Sequence, residues 1–200
     1  MRMKIKYLLI LVCLTISSNA QDIEMKKAFE QELKAKNEHV TSIKCLFTQT
    51  RGLSVLSNTV DKTGDFYFKR PSDMELLFHD GDYIKMDDSQ FEMKVAENVT
   101  ATKISSNPML KNLSSILSAC VIGDFDQMTK GFVAELESTS TEWVVTMAPQ
   151  RGKAASKISQ IIIRFDRNDM SLNVLNLVEK SGDYTMYAFS NKQFNTNGNK

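Results

Sequence analysis

The side chains able to do chemistry in this 200-residue chain are few, and their spacing keeps them apart. Its two histidines, His39 and His79, have no metal-ligand spacing to a cysteine or to each other. His79 adjoins Asp80 in a turn-forming run and reads as solvated. There is no Gly-x-Ser-x-Gly elbow, no glycine-rich phosphate loop and no Cys-x-x-Cys pair. Asp87 and Asp88 are neighbours, but adjacent strand residues face opposite ways, so these carboxylates do not converge. The expectation is a protein that is not an enzyme and carries neither metal nor cofactor. One charged side chain is better placed. In Gly64-Asp65-Phe66-Tyr67-Phe68-Lys69-Arg70-Pro71, a strand would put Phe66 and Phe68 on one face. Pro71 cannot donate to a ladder and should end the strand, leaving Arg70 at its mouth beside the apolar face. Arg70 is then either half of a solvated Lys-Arg pair at a sheet edge or a group that controls access to a hollow.

The elements that would position these residues begin after residue 20. Arg2, Lys4 and Lys6 precede an apolar stretch from Tyr7 to Ile16, and Ser18-Asn19-Ala20 supplies small residues before a cut at Gln21. This is the pattern of a secretory signal peptide, too short for a membrane span, with Cys13 as part of its apolar stretch. The chain that follows, about 180 residues, is long enough for one domain with its own core and should act outside the cytoplasm. It carries 22 basic residues against 24 acidic ones, a balance that argues against nucleic acid as a partner. Two cysteines lie in it, Cys45 and Cys120. Spacing alone leaves a disulfide and two buried thiols equally open.

Asp22 to His39 reads as a helix, with Met25, Phe29 and Leu33 recurring every fourth residue. From Ser42 the period becomes two. Strands are expected from Ser42, over Ser54–Val60 and Thr63–Lys69, around Met74, Leu76 and Phe78, then over Tyr83–Met86 and Gln90–Val95. Asp80-Gly81 makes a hairpin turn between two of them. Asn98 to Ser106 is polar and reads as a loop. Asn107 then caps a helix that Pro108 opens and Gly123 stops. Its apolar residues, Met109, Leu110, Leu113, Ile116, Leu117, Cys120 and Val121, fall on one face. Lys111, Asn112, Ser114, Ser115 and Ser118 are expected on the opposite, solvated face. Asp124 to Lys130 allows another helical turn. Strands resume over Phe132–Leu136, Glu142–Met147, Ile158–Asp166, Ser171–Val178 and Tyr184–Phe189, and Asn195 to Lys200 reads as a frayed end. The hairpin-linked order implies an antiparallel meander. Several strands are apolar on both faces, so the sheet must be covered twice or enclose a cavity. Nine methionines after residue 20 add adaptable lining.

The amphipathic first helix, Phe47-Thr48-Gln49, the Gly64-to-Pro71 segment, the helix near Asn107-Pro108, and the strands Trp143-to-Pro149 and Ile161-to-Asp166 together resemble the LolA family of periplasmic outer-membrane lipoprotein carriers. That resemblance implies a mainly β fold, an incomplete antiparallel β-barrel whose open side is covered by helices around an apolar cavity. It implies a monomeric periplasmic carrier that takes lipoproteins from an inner-membrane ABC exporter, shields their acyl chains, and delivers them to an outer-membrane acceptor. A carrier of a different lipid, or a lipid-sensing domain of the same fold, is the alternative. By the same resemblance Arg70 is a latch that bonds to the helical lid and holds the closed state. The expected lining is Phe47, Phe66, Phe68, Met74, Leu76, Phe78, Ile84 and Met86, with Leu113, Ile116 and Leu117 from the lid. A lid that swings cannot be tied to the sheet, so Cys45 and Cys120 should be free thiols. Met74-Glu75-Leu76 stand where the family often carries aromatic residues, and the chain ends soon after Phe194.

Overall fold

The computed structural model describes residues 22–56, 58–106, 108–150 and 157–195. The segment read as a signal peptide, the residue expected to cap the second helix (Asn107) and the last five residues lie outside these. Helix α1 (22–37) is followed by β1 (Ser42–Gly52), β2 (Thr59–Lys69), β3 (Asp73–Phe78), β4 (Tyr83–Met86), β5 (Gln90–Val95) and β6 (Asn98–Lys103). A 3-10 turn at Ile104–Ser106 leads into α2 (Pro108–Ile122) and the short α3 (Phe125–Thr129). Then come β7 (Phe132–Ser138), β8 (Glu142–Pro149), β9 (Ile158–Asp166), β10 (Leu172–Glu179) and β11 (Tyr184–Phe194).

All eleven strands form one sheet in the order β6-β5-β4-β3-β2-β1-β11-β10-β9-β8-β7, and every pairing is antiparallel. The two halves of the chain meet where β1 pairs with β11, so the first strand and the last lie side by side. The edge strands β6 and β7 do not pair with each other, and the barrel stays open. The sheet still curls. Residues from the inner faces of both halves, such as Met74 and Phe91 on one side and Trp143 and Phe165 on the other, belong to one buried cluster.

Two expectations fail. Ser54–Val60 is not a separate strand. Residues 53–56 turn, and β2 runs unbroken from Thr59 to Lys69. Val55 and Leu56 stand exposed in that turn. Asn98–Lys103 is not a loop but the edge strand β6, paired with β5 along its length. Its side chains are almost all exposed, so no apolar alternation marks it, as suits a sheet edge that must not invite further pairing.

Helix α1 packs by the stripe its period announces. Phe29 and Leu33 are fully buried, and the Phe29 ring meets Phe125, Trp143 and Phe165 with centroids 5.4, 5.2 and 5.7 Å away. The stripe continues to Asn37, whose buried amide donates to the carbonyls of Leu33 and Met170 at 3.0 and 3.2 Å. This ties the helix end to the β9–β10 turn. Helix α2 ends at Gly123, at φ +80, where a β-carbon would lie 2.6 Å from the Leu33 carbonyl oxygen. The two covering helices therefore touch backbone to backbone at a residue that must be glycine.

Candidate functional site

Alternation along the strands writes the inner face of the sheet in rows. Nearest the Arg70 end of β2 the row is Ile43, Phe68, Met74, Met86, Phe91. The next is Cys45, Phe66, Leu76, Ile84, Met93, and the third is Phe189, Phe47, Gly64, Phe78. Gly64 is explained by its row. A β-carbon there would lie 2.8 Å from the Phe47 ring and 2.2 Å from the Leu77 carbonyl oxygen. Its absence lets the Phe47 ring lie across β2 and meet Phe78 edge-on, with centroids 5.0 Å apart.

Between these rows and α2 lies an apolar cavity of about 180 Å³. Six of the residues expected to line a hollow do so: Phe66, Leu76, Ile84 and Met86 from the sheet, with Leu113 and Leu117 from α2. Phe47, Phe68, Met74, Phe78 and Ile116 are buried in the packing around the cavity and do not reach its wall. Four lining residues were missed: Phe91, Leu175, Tyr187 and Phe189. The last three come from β10 and β11, brought to the site by the β1–β11 pairing, which no local pattern announces.

Helix α2 is covered more widely than its apolar pattern implies. Ser114 is buried, and Ser118 Oγ is buried with no hydrogen-bond partner among the described residues, so neither belongs to a solvated face. The short α3 also folds back along α2. The Cys120 thiol meets the Met128 sulfur at 3.3 Å, and the Gln127 amide donates to Ser115 Oγ at 2.6 Å.

Arg70 stands at the end of β2 and reaches the last turn of α1. Its Nη2 donates to the carbonyls of Asn37 at 2.8 Å and Glu38 at 3.4 Å, and its Nε donates to the carbonyl of Val40. Carbonyls at a helix C-terminus have no partner within the helix and carry its negative end, so a guanidinium fork fits them in number and in sign. Every hydrogen bond described for the Arg70 guanidinium ends within residues 37–40, at the end of the first helix.

Cys45 and Cys120 are both free and buried. Burial pushes the Cys45 thiol up to about 12 and raises Cys120 as well. Both stay protonated near neutral pH, and only the thiolate is a strong nucleophile. The native protein should therefore resist alkylation at pH 8, and denaturant without reductant should expose two reactive thiols beyond residue 20. Mass spectrometry after iodoacetamide reads both states; no labelling in denaturant would mean a disulfide.

Among the described residues no group of three or more acidic, histidine or cysteine side chains could hold a metal, and no helix is long and apolar enough to cross a membrane. Solved structures similar to this chain are distant in sequence. MucB, also solved with MucA from Pseudomonas aeruginosa, is 14% identical with a TM-score of 0.50, over 87% of this chain and 60% of MucB. A LolA superfamily protein of Nitrosomonas europaea is 9% identical, with a TM-score of 0.40 over 84% of this chain and 94% of that one. The Mycobacterium tuberculosis lipoprotein LppX is 11% identical, with a TM-score of 0.39 over 86% of this chain and 98% of its own. For MucB the likeness is one of fold. No curated protein sequence matches the chain. The family model that does match is that of the outer membrane lipoprotein carrier protein LolA, over residues 38–200, a span that includes every cavity-lining residue and Arg70, and the chain belongs to that family.

Proposed function

We propose that this protein is a periplasmic carrier that shelters the acyl chains of lipoproteins beneath α2 and moves them from the inner membrane to the outer membrane. The observation that carries this reading is the cavity: an apolar space roofed by Leu113 and Leu117 of a helix that is not part of the sheet. A roof of that kind can lift without breaking a strand pairing. At about 180 Å³ the space is smaller than the roughly 300–1,000 Å³ of ordinary ligand sites, so a whole chain enters only if α2 moves outward. An inner-membrane ABC exporter would load the carrier and an outer-membrane acceptor would unload it, with residues 1–20 directing export.

The energetics favour a closed resting state. Each buried methylene contributes about 0.8 kcal/mol, so a long chain in a permanently open hollow would bind too tightly to hand on. A closed state that must first open lowers the net affinity by the fraction of molecules that are open.

The test uses the exported protein and the dye N-phenyl-1-naphthylamine. The dye should brighten on binding and be displaced by a triacylated lipopeptide, but not by the same peptide without its chains. Mass spectrometry of an organic extract should find acylated lipopeptide or lipoprotein with the protein. A protein that takes up no dye and yields no lipid overturns the reading, and a non-lipoprotein lipid in the extract reassigns the cargo.

A further inference from the structure

The Phe47-Thr48-Gln49 run contributes a ring to the core through Phe47 and leaves Gln49 without a role. The row registry gives it one. Gln49 lies opposite Tyr187 on β11 and Lys62 on β2, one row beyond Phe189, Phe47, Gly64 and Phe78, on the same inner face. The aromatic rows thus end in a polar row toward the β1–β2 turn, at the end of the sheet away from Arg70. Tyr187 belongs to both regions. Its ring lines the cavity, and its hydroxyl accepts a hydrogen bond from Gln49 Nε2 at 2.7 Å. The hydroxyl hydrogen has no acceptor among the described residues. With the Gln49 amide turned over, its NH₂ would be unspent instead, so the pair keeps a free donor in either orientation. Burial raises the Tyr187 phenol above its ordinary value, which keeps the O–H in place through the physiological range.

Lys62, the charged member of the row, is already committed. Its ammonium contacts Asp80 at 2.7 Å and Asp82 at 2.5 Å, and it lies 5.5 Å from the centre of the Phe78 ring. A ligand anion would meet a cation already neutralised by two carboxylates. A neutral acceptor would meet an unspent neutral donor beside an apolar wall.

We propose that Gln49 and Tyr187 form the polar end of the hollow and receive the carbonyl of an ester- or amide-linked acyl chain, whose hydrocarbon runs from there beneath α2. This rests on the reading of the protein as an acyl carrier and adds two things to it: the chemistry recognised at the head of the chain, and the orientation of that head toward the β1–β2 turn.

The test separates the inference from the reading it rests on. The probes are N-phenyl-1-naphthylamine, which has no carbonyl, and methyl laurate as its competitor. Tyr187→Phe removes one oxygen and keeps the ring. It should weaken methyl laurate about fivefold more than it weakens the dye, the worth of one neutral hydrogen bond. Gln49→Leu should show the same ester-selective loss. If both variants bind dye and ester as the wild type does, or lose both equally, the polar-end assignment is overturned while the carrier stands. If the wild type binds neither probe, the carrier reading fails and the inference with it.

Discussion

Replacing Phe29 with alanine should cost about 3–5 kcal/mol of folding stability, the usual range for emptying a fully buried aromatic site. The ring is fully buried and has three aromatic neighbours: Phe125 from α3, Trp143 from β8 and Phe165 from β9. Those neighbours belong to three separate elements held in their own pairings, so the site cannot simply collapse. Phe29 is also, with Leu33, one of two fully buried anchors of α1, whose remaining stripe is the partly buried Met25 and the polar Asn37. The loss should appear as a lower urea midpoint with an unchanged slope, because the surface exposed on unfolding hardly changes. None of its three aromatic neighbours lines the cavity, so the folded fraction should still bind dye with the same stoichiometry. A stability loss below about 1 kcal/mol would show that α1 is not anchored through this cluster.

What the sequence makes legible here is faces, and what it leaves dark is neighbours. Phe66 and Phe68, or Leu76 and Phe78, declare by alternation which side of a strand is apolar. Nothing local declares that β11 returns beside β1, so Tyr187 and Phe189 could not be placed across from Gln49 and Phe47. Alternation also fails where a strand has no apolar face, as in β6, and where apolar residues stand exposed, as Val55 and Leu56 do. Ser114 and Ser118 were misread for a related reason. A helix pattern reports one apolar face, and serine is small enough to be buried outside it. Arg70 was legible as a placed charge because Pro71 fixes the end of its strand. Its acceptors are backbone carbonyls, which every residue has and which therefore leave no mark in the sequence.

Those carbonyls lead to the most direct test of mechanism. Arg70→Leu should bind dye and lipopeptide about tenfold more tightly than wild type and pass lipopeptide to acceptor vesicles correspondingly more slowly. Arg70 bridges the end of β2 to the last turn of α1 through the carbonyls of Asn37, Glu38 and Val40. Helix α1 in turn meets the end of α2 where Gly123 lies against the Leu33 carbonyl. If the helices must shift for α2 to admit a chain, the arginine bonds are part of what opening breaks. Hydrogen bonds to a charged group contribute about 1.5–3 kcal/mol, and partial exposure of Arg70 reduces this to about 1–2 kcal/mol. Removing that much from the closed state alone raises the open fraction, and with it the apparent affinity, by roughly tenfold. The same loss should lower thermal stability. Arg70→Lys keeps the charge at the helix end but cannot span three carbonyls with a planar fork, so it should fall between the two. The decisive comparison is between affinity and stability. If Arg70→Leu melts earlier yet binds and releases as wild type does, the arginine caps α1 and nothing more, and the latch is ruled out.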